Sequence, residues 1–376
     1  MKVNLNYLKS LFLFLPIITY TPFFFNQLIN SYLRIGYFLL ASIFLFCSSS
    51  KFSKNDIYVI LSMISFILII SLSIQSSIDS VLSAGNYCLT LIFGWSLYRY
   101  LSVSSDRIKI SLNFYVGFFY LVVIFSLISL IFLMTIGEYD LFGFKSDVYT
   151  QLVTPFGVHF KRAIGDITMY RSFFYFVEAA HIAIFYAANI IIVAPLLKRG
   201  SQKFIKLNLL GGILSVSVTF YVALLFLYII KRTKSLSNII FFSIGILILF
   251  ILSQAFELVG YTSSDDRTER FLIFFLLMEQ ATPFQLLFGH GVSFETDFEK
   301  AFNSGLTLSI FETGIIGTLI QLLILILLCP NILIFSFFFF SSLVVDPIHM
   351  PIFWFVIIIA YHAHQKEMVN NLYKNE

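Results

Sequence analysis

Charged residues are scarce in this chain: Asp, Glu, Lys and Arg make up 12% of 376 residues, about half the share of a soluble domain. That scarcity excludes a protein that presents most of its surface to water. Cysteine is equally sparse. Cys47, Cys88 and Cys329 lie within or at the ends of apolar runs with no metal-like spacing, so neither a disulfide framework nor a zinc site is supported. Gly289-His290-Gly291 lacks a preceding strand and a third glycine at the required distance, which excludes a dinucleotide fingerprint. The net charge of +4 implies no nucleic acid partner, because Lys and Arg in a membrane protein first of all report orientation.

What is present is apolar: 59% hydrophobic residues, among them 47 Phe and 20 Tyr, and a mean hydropathy of +0.91. Eleven apolar runs fall near residues 10–25, 32–47, 57–74, 81–98, 112–136, 173–197, 205–230, 238–256, 306–328, 332–345 and 351–363. Runs of about 20 residues match the ~30 Å hydrocarbon layer that a helix must cross. The pattern predicts an all-α polytopic membrane protein, a single integral membrane domain over residues 1–376. The first run follows a basic start but lacks a small-residue cleavage site, and is expected to be retained as a span.

Lys and Arg in short loops set the orientation. With the N-terminus inside, Lys2, Lys9, Lys51, Lys54, Arg99, Arg107, Lys109, Lys198, Arg199, Lys203 and Lys206 collect on the cytoplasmic side until the run 205–230, after which a single crossing would place Lys231-Arg232-Thr233-Lys234 outside. That run carries Gly211, Gly212 and the small residues from Ser215 to Thr219, which suit a helix break that neighbouring protein can satisfy. Two crossings there give about 12 transmembrane helices, both termini in the cytoplasm and sixteen of the 24 cations inside.

Seven of the others sit in two long outer loops, 137–172 and 257–305. Long loops translocate regardless of charge; the competing reading is an anion-binding site built from both loops. In the first, "RAIGDITMYRSFFYFVEAAHIAIF" places Arg162 early and Arg171 at the entrance to the next span, with Glu178 and His181 three apart on one helical face. Ionisable groups so near hydrocarbon either satisfy each other or wall a wet cavity. The second has Arg267 and Arg270 in "SSDDRTERF", where guanidinium groups suit phosphate oxygens and salt bridges to the adjacent acids compete. It continues through Gly289, His290, Gly291 and Asn303 to the run from Gly305, which holds Glu312 about eight residues in. That is some 12 Å of helix, so Glu312 is expected near the wet end in a supporting role, with Gly314 and Gly317 allowing close packing beside it.

The order "R…F…VEAA", "SSDDRTERF", "P…LLFGHG" and "FNSGLTLSIFETGIIG", spanning Arg162 to Gly317, resembles the O-antigen polymerase (Wzy-type) family within the O-antigen ligase and polymerase superfamily. The resemblance implies a GT-C-like glycosyltransferase of the cell inner membrane, working at the periplasmic face on undecaprenyl-diphosphate-linked oligosaccharide as donor and acceptor. It implies a chain-length regulator and a flippase as partners, with no cofactor or metal. Carried over by motif, Arg171 and Arg267 match the loop arginines, Glu178 the acid of the sixth span, and Gly289 with Gly291 the glycine turn. One departure bears on mechanism: Asn303-Ser304 stand where ligases carry a histidine followed by asparagine. The general base is then sought among Glu178, His290, Glu295, Asp297 and Glu299. Arg162, Arg270, His181, Asn303 and Glu312 are expected to line the substrate site. The alternatives are an O-antigen ligase and a lipid-linked oligosaccharide flippase.

Overall fold

The structure is a computed structural model, and it describes residues 36, 39–48, 52–73, 78–136, 152–154, 157–164, 167–172, 179–197, 199–233, 273–291, 305–342 and 350–372. The runs near 10–25 and 238–256, and the sequence candidates Glu178, Arg267, Arg270, Glu295, Asp297, Glu299 and Asn303, lie outside the described residues.

The described elements are mainly helical. In chain order they are α1 (Lys54–Ser73), α2 (Ile78–Ser102), α3 (Ser105–Ile136), the strands β1 (Leu152–Thr154), β2 (Gly157–Ile164) and β3 (Ile167–Ser172), then α4 (Ala179–Ala188), which continues as a π-helical turn (Asn189–Val193) and a 3-10 turn (Ala194–Leu196). There follow α5 (Ser201–Leu214), α6 (Val218–Thr233), α7 (Pro283–Phe288), α8 (Gly305–Leu328), α9 (Ile332–Ser342) and α10 (Pro351–Leu372). Helical backbone also covers residues 39–47 and 273–280.

Among the described residues, three helices are long and apolar enough to cross a membrane, with the windows Lys54–Ser71, Ser105–Ile128 and Gly305–Leu328. Each carries a stripe of large apolar side chains turned outward. On α1 it runs Ile57, Leu61, Ile64 and Leu68, on α3 Leu121, Ile124, Ile128 and Ile131, and on α8 Ile315, Leu319, Leu323 and Ile326. Steps of three and four residues put each set on one helical face. An outward apolar stripe on helix after helix is costly in water and natural in hydrocarbon.

The chain divides into two compact units, with the boundary inside α3. The first holds Phe24–Ile110 and Ile244–Glu376, and the second Ser111–Ser243, with short N-terminal pieces assigned to each. In the first unit α8 packs along α1 and α10 packs against α2. Gly94 of α2 makes room for the Trp354 ring of α10, which a Cβ there would meet at 2.7 Å. The same pair is tied by His362, whose Nε2 lies 3.0 Å from the Tyr98 carbonyl oxygen.

In the second unit α4 packs against both α5 and α6. A buried polar chain crosses this bundle: the Tyr115 hydroxyl donates to Asn189 Oδ1 at 2.6 Å, Asn189 Nδ2 to Asn208 Oδ1 at 2.7 Å, and Asn208 Nδ2 to the Phe204 carbonyl at 2.8 Å. Each buried amide thus finds a partner, as an apolar interior requires. The run 205–230 does break, at Ser215–Ser217 between α5 and α6. Val216 takes φ 46° there, and the Ser215 hydroxyl donates to the Gly212 carbonyl at 2.7 Å.

The segment read as an outer loop, 137–172, contains local structure of its own. Its strands form an antiparallel sheet in the order β1-β2-β3. Val158 and Phe160 alternate with His159 and Lys161, a strand-like pattern, and Gly165-Asp166 between β2 and β3 is a pair that favours a tight hairpin. Arg171 accordingly stands in β3 and not at the mouth of the following helix, whose described part begins at Ala179.

Candidate functional site

In the first unit, the site is a broken helix braced by a turn from elsewhere in the chain. The bracing segment starts at α7. Thr282 Oγ1 accepts from the Gln285 N–H at 3.3 Å while Gln285 Oε1 accepts from the Thr282 N–H at 2.9 Å. This reciprocal cap, with Pro283 in the first turn, fixes where the short helix begins. It ends at Gly289, where φ is +87° and the N–H donates to the Gln285 carbonyl at 2.8 Å. The next two amides leave the local structure altogether: His290 N–H donates to the Phe311 carbonyl at 2.7 Å, and Gly291 N–H to the Glu312 carbonyl at 3.2 Å.

Those two carbonyls come free because α8 breaks at Gly314, with φ 69° and ψ −179°. In a continuous helix they would accept from the amides four residues on; here the turn serves them instead. Both glycines are required by the contact. A Cβ at Gly289 would collide with the Glu312 carbonyl, and one at Gly314 with the Leu287 carbonyl, and both have φ values that L side chains rarely adopt. The pairing of Gly314 with Gly317 as a simple packing notch is therefore revised: Gly314 makes the break, while Gly317 lies against Thr313 and Ile69.

Hydroxyl groups line the broken helix. Thr318 Oγ1 donates to the Gly314 carbonyl at 2.9 Å and lies 3.2 Å from Ser309 Oγ, which donates to Gln321 Oε1 at 2.9 Å. Thr313 Oγ1 donates to the Ser309 carbonyl at 2.8 Å. Irregular backbone within a spanning helix is tolerated where protein groups satisfy it in this way. Glu312 is itself buried, and its carboxylate accepts a hydrogen bond from the Tyr87 hydroxyl of α2. A buried carboxylate demands such donors. Nothing in the sequence singled out Tyr87; its signal is a polar pair, Asn86-Tyr87, in the middle of an apolar run.

His290 sits over this break. Its ring stacks on Phe311, with centroids 4.3 Å apart and planes 9° from parallel. Burial pushes the imidazole below its ordinary pKa of 6.5, with a hydrogen bond to the Phe311 backbone pulling the other way. The neutral imidazole that results at pH 7 is the form able to accept a proton.

In the second unit, the β2–β3 register pairs Phe160 with Arg171 and Arg162 with Met169. Directly opposed residues share a sheet face, as do alternate residues of one strand. By backbone register Arg162 and Arg171 are therefore diagonal positions on the same face of the hairpin. His181 lies half-buried in the first turns of α4. The structure thus groups the sequence candidates in two places. Gly289, His290, Gly291 and Glu312 belong to the braced break in the first unit, and Arg162 and Arg171 to the hairpin in the second.

A further ionic cluster escaped the sequence reading, in which Arg99 served only to mark orientation. Arg99 and Asp56 are both buried, with Nε and Oδ1 3.6 Å apart, and the Trp95 indole donates to Asp56 Oδ1 at 2.9 Å. The guanidinium lies 4.2 Å from the ring centroid of Phe52 and 5.0 Å from that of Phe46. Ser53 and Asp56 meanwhile cap α1, the Ser53 N–H donating to Asp56 Oδ2 at 2.7 Å. The cluster anchors the α1 start to the α2 end.

Among the described residues no three His, Cys, Asp or Glu side chains gather as a metal-ligand set. In comparison with known proteins, the chain matches no family model and no curated protein.

Proposed function

We propose that this protein is a repeat-unit polymerase, a glycosyltransferase of the inner membrane that moves a growing glycan from undecaprenyl diphosphate to the non-reducing end of a lipid-linked repeat unit. The observation that carries the reading is the β2–β3 hairpin with Arg162 and Arg171 as diagonal neighbours on one face. Arginines at diagonal positions of one hairpin suit a diphosphate ligand, whose oxygens Arg engages in bidentate fashion. The motif resemblance and the apolar helices support the wider frame: about twelve crossings, a GT-C-like arrangement, cytoplasmic termini and chemistry at the periplasmic face. Partners in this reading are the two lipid-linked oligosaccharides, a chain-length regulator and a flippase.

The reaction needs little beyond positioning. The acceptor hydroxyl oxygen bonds to the anomeric carbon of the donor sugar as the bond from that carbon to the diphosphate oxygen breaks. Negative charge gathers on the departing diphosphate, where preorganised guanidinium groups stabilise it. The hydroxyl proton must go to a base, and His290 is a described candidate that is neutral at pH 7. Arg267, Arg270 and Glu178 keep their motif-based roles in the proposal, and Asn303 its place near the acceptor.

The test is a set of Arg162→Ala and Arg171→Ala variants expressed in a strain lacking the chain, with membrane levels checked by immunoblot. Loss of the long-chain ladder, leaving lipid A core capped by one repeat unit, is expected. A ladder unchanged in both variants contradicts the proposal. Lipid A core with no repeat at all marks a ligase instead. One feature favours the flippase as the second reading: broken spanning helices such as α8 recur at transporter substrate sites. A strain in which repeat units stay on the cytoplasmic leaflet would select it.

A further inference from the structure

From Ala179 to Phe256 the sequence contains no carboxylate, yet it holds seven cations, all within residues 198–206 and 231–234. The fold brings the described members of the two groups, Arg199, Lys203, Lys206, Lys231 and Arg232, to one end of the second unit. Lys231 Nζ, in the last turn of α6, donates to the Ile191 carbonyl of the π-helical turn at 3.0 Å. That turn runs on through the 3-10 turn, against which α5 packs. Arg199 follows it, and α5 starts at Gly200 with no side-chain cap. The end of α6 and the start of α5 therefore share one level of the bundle.

At that level Arg199, Lys203, Lys206 and Arg232 are all exposed. None has a carboxylate partner among the described residues, since the described part of the second unit contains no Asp or Glu. Arg232 stands with Tyr228 one turn back along α6, its guanidinium 5.5 Å from the Tyr228 ring centroid. Cations and tyrosines that flank apolar helices sit at headgroup depth. The phosphate available at that depth belongs to lipid.

We propose that Arg199, Lys203, Lys206 and Arg232 form a binding site for the phosphate headgroup of an anionic phospholipid. Clustered cations next to spanning helices attract anionic headgroups by roughly 1 kcal/mol each, and among the described residues of the second unit no acid competes for them. Lys231 is engaged with the Ile191 carbonyl and ties the end of α6 to the π-helical turn, so its role is to position the site. The inference rests on the membrane setting and not on the glycan chemistry.

The test uses the full-length protein purified in neutral detergent and exchanged into nanodiscs of equal parts dioleoyl-phosphatidylglycerol and dioleoyl-phosphatidylcholine. Lipid that stays bound after re-extraction is counted by native mass spectrometry. The wild type is expected to retain phosphatidylglycerol in preference to phosphatidylcholine, and Lys203→Gln and Arg232→Gln to weaken that preference by about fivefold each. The charge-preserving Lys203→Arg should keep it, and raised salt should release the lipid from the wild type. Equal retention of both lipids by the wild type overturns the proposal whether or not the variants fold. So does competition by inorganic phosphate at low millimolar concentration, which would assign the cluster to a soluble anion.

Discussion

Two of the described apolar runs, 205–230 and 306–328, break in ways that are healed differently. At Ser215–Ser217 the repair is local. Gly211 and Gly212 of α5 lie under the rings of Tyr186 and Phe220, the Ser215 hydroxyl donates to a carbonyl of its own turn, and no carboxylate or imidazole among the described residues takes part. At Gly314 the repair comes from a distant segment: the turn at Gly289–Gly291 donates two backbone hydrogen bonds to carbonyls of α8 and sets His290 on Phe311. A local repair is sufficient to turn the chain. A repair that imports a neutral imidazole into a helix that also carries a buried carboxylate, Glu312, does more than structure requires, and that excess is why the α8 break is the better candidate for chemistry of the two.

Substitutions can break or sharpen this contrast. The largest effect is expected from Gly289→Ala and Gly314→Ala, where a positive φ and a backbone collision coincide. Each should lower stability by at least ~3 kcal/mol and abolish glycan elongation, read by thermal unfolding and by the polymer ladder. Gly212→Ala, which meets the buried Phe220 ring but no backbone atom among its nearest contacts, should unfold at lower temperature than wild type yet elongate normally. Equal loss of elongation at both breaks would erase the distinction.

Next in size is His290→Gln. If the imidazole accepts the acceptor proton, its loss should slow elongation by about 10²- to 10⁴-fold. The pH profile carries the sign. Burial lowers the folded pKa below 6.5, so the neutral, competent form persists at pH 7. Activity should fall only as the pH drops through that lowered value, and folding stability should fall too, because the unfolded chain takes up the proton first. Both acid limbs should vanish in the Gln variant.

Tyr87→Phe comes third. It removes one hydroxyl donor from the buried Glu312 carboxylate, a loss of about 1–3 kcal/mol visible in thermal unfolding, with the acid limb of His290 unmoved. Smallest is Val216→Gly at the other break. A β-branched residue at φ 46° is strained, and relieving it should stabilise the protein by about 1 kcal/mol or less without changing elongation.

How much of this was legible varies with the physical signal. Apolar runs near 57–74, 81–98, 112–136 and 306–328 became α1, α2, α3 and α8 because length and hydropathy suffice for such helices. The break in 205–230 was visible as paired glycines and a run of small hydroxylated residues. The hairpin was missed because a long loop between spans was taken as irregular, although alternation and Gly165-Asp166 were there to read. The brace between Gly289 and Gly314 had no sequence signal at all: each glycine was noticed, but their contact joins carbonyls and amides, which carry no residue identity. Tyr87 and the buried Arg99–Asp56 pair were hidden for the related reason that burial of a polar side chain depends on neighbours distant in sequence.

The most direct measurement is elongation by the purified protein in liposomes, with lipid-linked repeat unit as the sole glycan and no ion gradient. The account predicts a ladder of lipid-linked oligomers, formed with release of undecaprenyl diphosphate and lost in Arg171→Ala. Repeat units that remain unextended, while the wild-type protein moves them between leaflets, would contradict it.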